Sequence, residues 1–410
     1  MIDLGMLQKD PQLIERLKSK DPDFAIEKLL ELDDERRSLM QQVEELRAQK
    51  NDLAKAAQSG ITDEVRQKSI EVGKSLKEKE IQLEEVSAEF KKLYLFCPNI
   101  PEKNIPIGGK DKNKVVKLVG QKPTFDFKLR NHVELGNSLE WFDFEAAVRM
   151  AGSSFVLYKN DAVKLIYALT RMMLKNNADH GFKPILPPYM VNAQSLEVAS
   201  NFPKFKEDVY SIAGEDLYMT PTAEVNLTNL YRDAIIAGEE LPICMTAWTS
   251  CFRREAGGYG AQERGLIRIH EFEKVELYSI TEPEKSNEEL ERMVACAETI
   301  LQKLNLHYRI SLLATGDMSF PSAKTYDIEV WMPGQEAYYE VSSCSNCTDF
   351  QARRGKIRYR KSATAKPELV NTLNASSLAL PRLMVALMET YQKEDGSIDL
   401  PTELKLYMDW

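Results

Sequence analysis

The densest group of chemically useful side chains lies between residues 251 and 276, where arginines and acids crowd one stretch of chain. A planar guanidinium offers paired donors that match carboxylate and phosphate oxygens, which a lysine ammonium cannot reproduce. A solvated ribbon at a sheet edge would also be charged, but it would not need this many ionic groups. The group consists of Arg253, Arg254, Glu255, Arg264, Arg268, His270, Glu271, Glu273 and Glu276. The pattern favours a functional site over a solvated ribbon.

Other ligand-binding signatures are incomplete. Cys344 and Cys347 form a C-x-x-C pair, but a tetrahedral zinc site would need a second ligand pair, and none of the 4 histidines supplies one at the usual spacing. Gly108-Gly109-Lys110 lacks the spacing of a Walker loop, and residues 257–260 do not fit the dinucleotide-binding pattern. If a nucleotide binds, another scaffold must hold it.

Composition sets the class of protein. A chain of 410 residues with 43% hydrophobic and 29% charged residues predicts a globular protein of two or three domains, one of them large. No apolar run approaches the roughly 18 residues that span a bilayer, and the first ten residues lack a secretory signal, so we expect a cytoplasmic protein that does not enter a membrane. The 6 scattered cysteines predict free thiols. The net charge of -9 argues only weakly against nucleic-acid binding, because local basic clusters can override it.

Residues 24–96 have the pattern of two antiparallel helices. One seam repeats every seven residues at Leu32, Leu39, Leu46 and Leu53, and a second runs through Val65, Ser69, Val72, Leu76, Lys79, Leu83, Val86, Phe90 and Leu93. Gly60 can end the first helix and Thr62 can cap the next. Helices of about 35 residues would project about 50 Å. Both a dimerisation coiled coil and an arm that binds a phosphate backbone fit; the basic residues toward the turn are Arg47, Lys50, Lys55, Arg66, Lys68 and Lys74.

The remaining chain predicts an antiparallel sheet after a connector at residues 97–116. Residues 160–175 have helical spacing, and residues 182–190 resemble a strand that Pro187 and Pro188 restrict to a sheet edge. Extended runs at 241–254 and 266–280, separated by a glycine-rich loop, predict a hairpin that carries the charged group.

Five segments, in order along the chain, resemble the seryl type of class II aminoacyl-tRNA synthetases. Residues 182–190 resemble motif 1, residues 251–276 (CFRREAGGYGAQERGLIRIHEFEKVE) motif 2 and residues 371–392 (NTLNASSLALPRLMVALMETYQ) motif 3. MTPTAE at 219–224 is similar to the T-x-E serine loop, and EVSSCSNCTDF at 340–350 to the segment before motif 3. The H-I-G-H and K-M-S-K-S sequences of class I are absent. On this resemblance, which covers essentially the whole chain, the protein is identified as a member of the bacterial-type family.

The resemblance implies an α+β fold. Residues 106–410 would form the class II catalytic domain on an antiparallel sheet. Residues 1–105 would form an N-terminal arm, an antiparallel two-helix coiled coil that binds tRNA, together with the connector. It also implies ATP-dependent activation of L-serine to seryl-adenylate, transfer to tRNA(Ser) and to tRNA(Sec), and a homodimer with motif 1 and Pro188 at its interface.

The resemblance also assigns the ATP site. Arg253 would bridge the serine carboxylate and the α-phosphate, Arg268 and Arg382 would hold the outer phosphates, and Phe272 would stack on adenine. Glu255 would contact the adenine amino group, and Glu340 with Ser343 would bind Mg²⁺, which prefers oxygen ligands. The implied catalytic residues are Arg253 and Arg382, and the full ATP set is Arg253, Arg254, Glu255, Arg268, Ile269, Phe272, Glu340, Val341, Ser342, Ser343 and Arg382.

The serine site implied by the resemblance is small and polar. Its members are Thr222, Ala223, Glu224, Glu276, Asn374 and Ser376. How the amino and hydroxyl contacts divide among Thr222, Glu224 and Glu276 stays open. A site that hydrogen-bonds a hydroxyl rejects the analogue lacking it by roughly 10⁴ to 10⁵, so alanine should be excluded without editing.

Motif 3 departs from the family pattern. Relatives usually have L-N-G-S-G-L-A-x-G-R, and this chain has Ala375, Ser377 and Pro381 in place of the glycines. The backbone there should lose freedom, with Pro381 in the first turn of a helix, and we expect activity to survive.

A second basic cluster suggests contact with the tRNA acceptor end; it consists of Arg353, Arg354, Lys356, Arg358, Arg360 and Lys361. Two alternatives remain open. One is a paralogue that activates an amino acid for a carrier protein or another acceptor, and the other is a non-catalytic coiled-coil interaction protein with a decayed synthetase domain.

Overall fold

The computed structural model describes residues 1–58, 62–256 and 265–409. They form two compact units, Asp3–Cys97 and a larger one of Met1–Ile2 with Pro98–Trp410. Gly60, the glycines of 257–260 and Arg264 lie outside the described residues. The domain boundary after residue 105 stays a prediction. No helix in the described ranges is long and apolar enough to cross a membrane.

The smaller unit is helical. Its helices are α1 (Leu4–Lys9), α2 (Pro11–Lys20), α3 (Ile26–Gln58) and α4 (Asp63–Leu95). Contacts between α3 and α4 run in opposite directions along the chain, because Lys28 pairs with Glu89 whereas Arg47, further along α3, pairs with Glu80. Each of these two helices has 33 residues, or about 50 Å at 1.5 Å per residue. The predicted antiparallel helix pair is confirmed.

The heptad seams account for the pairing. Leu32, Leu39, Val72, Leu76 and Phe90 are buried, as coiled-coil core positions require. The seam is less buried towards the turn, where Leu46 and Leu53 are only partly buried and Lys50 is exposed. Thr62 caps α4 as predicted, because its hydroxyl oxygen accepts a hydrogen bond from the Val65 N–H at 3.3 Å. The apolar side chains of the seams therefore hold the two helices together.

The larger unit mixes strands and helices. Its strands are β1 (Lys114–Val119), β2 (Lys183–Ile185), β3 (Met190–Val191), β4 (Tyr218–Met219), β5 (Ile235–Ala237), β6 (Ile243–Phe252), β7 (Glu271–Thr281), β8 (Tyr308–Leu312), β9 (Lys324–Met332), β10 (Ala337–Asn346), β11 (Arg358–Arg360), β12 (Glu368–Leu369) and β13 (Asn371–Ala379). Its helices are α5 (His132–Ser138), α6 (Phe144–Ala151), α7 (Asp161–Asp179), α8 (Ala193–Val198), α9 (Ala223–Asn229), α10 (Ser286–Lys303), α11 (Phe350–Gly355), α12 (Leu380–Thr390) and α13 (Thr402–Lys405).

One large sheet organises this unit. In the described residues its strand order is β1-β8-β9-β10-β13-β7-β6-β2. Neighbours pair antiparallel except at one edge, where β2 runs parallel to β6. The predicted antiparallel-sheet fold is confirmed, and the proline-bearing segment begins at a sheet edge as expected.

The pleat of β7 explains why a polar site can form in this sheet. Val275 and Leu277 point into the main core with α7, α10 and α12. Residues at alternate positions, Phe272, Lys274 and Glu276, project from the opposite face. Strand alternation therefore separates the core from the site within a single strand.

Two predicted strands are shorter than the sequence suggested. Residues 182–190 form β2 and β3, which belong to different sheets, because Pro187 and Pro188 interrupt the ladder. The break is used elsewhere, since the Pro188 carbonyl accepts a hydrogen bond from Asn226 at 2.8 Å. The run predicted to begin at Leu266 becomes a strand only at Glu271, because the His270 N–H donates to the Ser154 carbonyl instead of a ladder partner.

Candidate functional site

A pocket, here named the arginine pocket, lies where β7, β13 and β10 meet residues 266–269. Phe272 and Lys274 enter it from β7, Ser376 from β13 and Glu340 from β10. Its lining residues are Arg253, Glu255, Leu266, Ile267, Arg268, Ile269, Phe272, Lys274, Glu340, Ser376, Ala379, Pro381 and Arg382. The structure thus brings together side chains from the predicted motifs 2 and 3 and from the segment before motif 3.

Arg253 sits between this pocket and the T-x-E loop. Its Nε donates to the Pro221 carbonyl at 3.2 Å, and its guanidinium carbon lies 5.2 Å from the centre of the Phe272 ring. Its backbone N–H donates to the His270 carbonyl at 2.9 Å, which continues the pairing of the hairpin beyond the strands. These contacts hold a cation at the junction of the two motifs.

Arg268 and Arg382 each contact an acidic residue that also lines the pocket. Arg268 Nε donates to Glu255 Oε2 at 2.6 Å. Arg382 Nη1 donates to the Glu340 carbonyl oxygen at 2.8 Å and lies 3.7 Å from the Glu340 carboxylate. All of these side chains keep solvent contact, so the pocket presents partly balanced guanidinium groups to an entering anion.

A buried cluster of polar side chains, here named the polar chamber, adjoins the pocket at Lys274. Lys274 Nζ lies 2.5 Å from Glu276 Oε2 and donates to Thr222 Oγ1 at 2.7 Å. The side chains of Lys274 and Glu276 are 7% and 2% exposed. Burial raises the pKa of Glu276, and Lys274 opposes that rise. The chamber therefore contains a buried ion pair and a hydroxyl.

Glu224 closes the chamber from the start of α9. Its Oε1 accepts hydrogen bonds from Gln351 at 2.7 Å and from Asn374 at 3.1 Å. Burial, and secondly the charge of Glu276, raise the pKa of Glu224 to about 7. Two buried carboxylates that repel each other are suited to share a cationic group.

Ser376 faces Glu276 directly across the β13–β7 ladder. The ladder then bulges, and Leu378 takes a φ of 84°, whereas Ala375 and Ser377 stay out of the left-handed region. Pro381 lies in the first turn of α12, as predicted. The glycine replacements therefore sit where a side chain is compatible with the backbone, which is the physical basis for expecting activity.

A second pocket shares Glu340 and Arg382 with the first. Ser343 lines it opposite Asp327 across the β10–β9 ladder. Burial raises the pKa of Asp327 well above its usual range, and the charge of Glu340 adds to the rise. The Asp327 Oδ1 atom is buried and has no hydrogen-bond partner. An oxygen-rich corner is thus present beside the arginines.

Some predicted residues do not present side chains to these pockets. Arg254 stands over Tyr210 at 5.8 Å, and Val341 is buried in the main core. Ser342 donates to the Ser376 carbonyl at 2.5 Å, and Ala223 packs in a separate apolar cluster. Their contacts with ATP or serine stay predictions.

Lys274, Gln351 and Asp327 were missed by the sequence analysis. Only Lys274 carried a signal, since it alternates with Glu276 along β7 and shares its face. Gln351 is buried in α11, and its Oε1 accepts a hydrogen bond from Thr372 at 2.7 Å. It approaches Glu224 only through the tertiary fold.

The second basic cluster is divided between structural and exposed side chains. Arg353 pairs with Asp349 at 2.7 Å, and Arg354 donates to the Glu197 and Phe202 carbonyls. Lys356, Arg360 and Lys361 are exposed. Contact with a tRNA acceptor end stays a prediction, with only half of the cluster available for it.

Comparison with known families matches both units. Residues 1–101 match the model of the seryl-tRNA synthetase N-terminal domain, and residues 205–391 match that of the tRNA synthetase class II core domain (G, H, P, S and T). The second match includes Arg253, Glu340 and Arg382, which line the pockets described above, and Glu276, which pairs with Lys274.

Full-length relatives and solved structures agree. The chain is 42% identical to the serine--tRNA ligase of Syntrophomonas wolfei, over 100% of this chain and 97% of that one. It is 45% identical to that of Nautilia profundicola, over 100% of both. The seryl-tRNA synthetase of Pyrococcus horikoshii, solved in complex with ATP, superposes with a TM-score of 0.94 at 34% identity, covering 100% of this chain and 98% of that one. The chain belongs to the seryl-tRNA synthetase family.

Proposed function

We propose that the protein activates L-serine with ATP to form seryl-adenylate and transfers the serine to tRNA(Ser), and to tRNA(Sec) where the host has one, in the cytoplasm. The observation that carries this proposal is the junction at Lys274. That residue lines the arginine pocket and also pairs with Glu276 in the polar chamber. One side of the junction suits a polyphosphate, and the other suits a small amino acid with a hydroxyl.

In the activation step a serine carboxylate oxygen attacks the α-phosphorus of ATP, and pyrophosphate leaves as the new O–P bond forms. Both reactants are anions, so the site must neutralise them and hold them in line. Arg253 is suited to bridge them, because it lies between the T-x-E loop and Phe272. Arg268 and Arg382 then bind the departing phosphates. Phe272 stacks on adenine, and the Glu255 carboxylate accepts a hydrogen bond from the adenine amino group.

Serine recognition uses the chamber around Glu276. Glu224 and Glu276 bind the ammonium and hydroxyl groups between them, and Thr222, Asn374 and Ser376 complete the polar wall. Support comes from the Asn374–Glu224 hydrogen bond and from the direct pairing of Ser376 with Glu276 across the ladder. The methyl group of alanine would leave one of these buried acceptors without a donor.

The residues beside Arg382 fit Mg²⁺. Glu340 and Ser343 would hold the ion, and the buried, unpaired Oδ1 of Asp327 lies in the same oxygen-rich corner. In the described ranges no three His, Cys, Asp or Glu side chains form a metal site by themselves, which is compatible with an ion that takes further ligands from phosphates. When bound, the ion would offset phosphate charge.

Transfer of serine requires a tRNA to reach the site, and we assign its binding to the α3–α4 pair. The 2′- or 3′-hydroxyl of the terminal ribose attacks the seryl carbonyl, and AMP leaves. The six basic residues near the turn, Arg47, Lys50, Lys55, Arg66, Lys68 and Lys74, are all exposed. Such positions suit RNA backbone contacts that weaken with salt.

We also propose a homodimer with residues 160–190 at its interface. The sheet edge at β2 is followed by Leu186, which is 76% exposed, and Tyr167 and Met190 are exposed nearby in sequence. An edge strand with apolar neighbours is a usual place for a symmetric contact.

The decisive experiment removes residues 28–93 and bridges the ends with a short flexible linker. Serine-dependent ATP–pyrophosphate exchange should persist, because the pocket residues lie outside the deleted segment and their domain has its own core. Charging of tRNA(Ser) and tRNA(Sec) should be lost. Equal loss of both half-reactions, with monomers in sedimentation, would indicate a dimerisation element instead. If the full chain catalyses pyrophosphate exchange but does not charge tRNA, the paralogue is favoured. If the full chain has neither activity, the non-catalytic alternative is favoured.

A further inference from the structure

The segment from Gly265 to His270 lines the arginine pocket but belongs to no strand. Leu266, Ile267 and Ile269 are buried in it, and Arg268 reaches the pocket between them. Backbone hydrogen bonds to Ser154 and Arg253 hold its last residue, His270, whereas side chains bond the backbone at Leu266 and Ile267. Arg382 Nε donates to the Ile267 carbonyl at 3.3 Å. The partner of Leu266 is a histidine outside the pocket.

His132, at the start of α5, accepts a hydrogen bond from the Leu266 N–H on its Nε2 at 3.2 Å. A backbone N–H can only donate, so Nε2 must carry a lone pair. The ring proton then lies on Nδ1, which is 3.2 Å from Glu389 Oε1. His132 and Glu389 are 2% and 0% exposed. The geometry therefore assigns a neutral ring with a defined tautomer.

Glu389, in α12, is itself held by several donors. Its Oε1 also accepts from the His132 N–H at 3.0 Å and from Gln335 Nε2 at 3.1 Å, and its Oε2 accepts from the Gly334 N–H at 2.9 Å. A carboxylate with this many donors has little freedom to move. Because Glu389 is held in place, its contact with Nδ1 fixes the orientation of the His132 ring.

Gly265 lies so close to His132, and Gly334 so close to Glu389, that a side chain would not fit at either position. A Cβ on Gly265, whose φ is +69°, would lie 2.2 Å from His132 Nε2. A Cβ on Gly334 would lie 2.9 Å from the Glu389 carboxyl carbon. The chain thus gives up side chains at two positions to bring backbone against His132 and Glu389.

We propose that His132 is a positioning residue for ATP, which acts by fixing the Leu266 backbone and through it Ile267 and Arg268. It does not line the pocket, and Glu389 sets its tautomer. The inference rests on the proposed function, since it takes ATP as the ligand of that pocket. The expected consequence is an effect on ATP binding that serine binding does not share.

Two variants separate the roles of the two ring nitrogens. His132→Asn keeps an amide donor near Nδ1 for Glu389 but has no atom at the position of Nε2. His132→Gln can place Oε1 near the position of Nε2 and so keeps an acceptor for Leu266. Losing the Leu266 partner should raise the Kd for ATP by calorimetry, and the KM for ATP in pyrophosphate exchange, about tenfold in the Asn variant. In the Gln variant both should stay within about threefold, and the KM for serine should stay within about twofold in both variants.

The outcomes are distinguishable. An unchanged Kd for ATP in His132→Asn overturns the positioning role, and so does an equal rise of the ATP and serine KM values in both variants, which would mark general loosening of the fold. A parent protein that binds no ATP by calorimetry overturns the proposed function and this inference with it. Equal thermal unfolding temperatures of the two variants, together with the split in ATP affinity, support the proposal.

Discussion

Replacing Lys274 with methionine tests whether the buried ion pair organises the serine chamber. Methionine keeps much of the side-chain volume but removes the ammonium that contacts Glu276 at 2.5 Å and Thr222 at 2.7 Å. Among the described residues, the Thr222 hydroxyl, 3.4 Å away, would then remain as the hydrogen-bond partner of the Glu276 carboxylate. The variant therefore leaves a buried carboxylate without its cation.

The magnitude follows from that burial. Removing one member of a buried ion pair costs about 3 to 5 kcal/mol, which is a large share of the roughly 5 to 15 kcal/mol that keeps a protein folded. The loss should depend on pH. Burial already raises the pKa of Glu276, and loss of Lys274 removes a group that lowers it. Because the folded-state pKa is raised, protonation favours the folded state at low pH, so the destabilisation should be smaller at pH 5.5 than at pH 8.

Denaturant unfolding at the two pH values measures this loss, and pyrophosphate exchange measures its effect on serine. The expected kcat/KM for serine falls at least 100-fold, since Thr222 and Glu276 lose their common partner. The matched control is Lys175→Met, which removes an exposed pair with Asp179 at 2.9 Å and should leave stability unchanged within error. If Lys274→Met were no less stable than this control at pH 8, the assignment of a buried ion pair would be wrong.

Three further predictions concern Glu224, Gln351 and the dimer. With a pKa of about 7 at Glu224, kcat/KM for serine should fall as pH drops from 8 to 6, because a protonated carboxyl no longer attracts the ammonium; a pH profile should lack this step in Glu224→Gln. Gln351→Met should raise the KM for serine about tenfold at constant KM for ATP, and Gln302→Met, which also removes a single amide, should change neither. Leu186→Asp should produce monomers in sedimentation, whereas Leu118→Asp, on the strand at the other sheet edge, should leave dimers. Dimers with both variants would remove residues 160–190 from the interface.

Local pattern was sufficient for the parts of the molecule whose physics is local. Heptad spacing predicted the α3–α4 pair because coiled-coil partners that are joined by a short turn select each other by the periodicity of their apolar residues. The Thr62 cap and the place of Pro381 in the first turn of α12 follow from backbone chemistry within one turn. The ordered motifs placed Arg253, Glu276 and Arg382 on specific elements, and the resemblance supplied their expected roles.

The same local approach overestimated the strands at 182–190 and 266–280. Both segments look extended, but an extended chain becomes a strand only when a neighbour pairs with it. The Pro188 carbonyl is occupied by Asn226, and the His270 N–H by the Ser154 carbonyl. Neither partner could be identified without the fold, because each is distant in sequence.

By itself, then, the sequence determined the helix pair, the identity of the arginines and acids, and the family to which they belong, since these depend on residue type and near-neighbour spacing. Only the tertiary structure decided how those residues are held. It brought Lys274 between Thr222 and Glu276, Gln351 against Glu224, and His132 beneath Leu266, across separations of 52, 127 and 134 residues for the Lys274–Thr222, Gln351–Glu224 and His132–Leu266 contacts. The physical reason is that burial and hydrogen-bond partners are properties of packed neighbours, and packing joins segments whose spacing along the chain carries no trace of the contact.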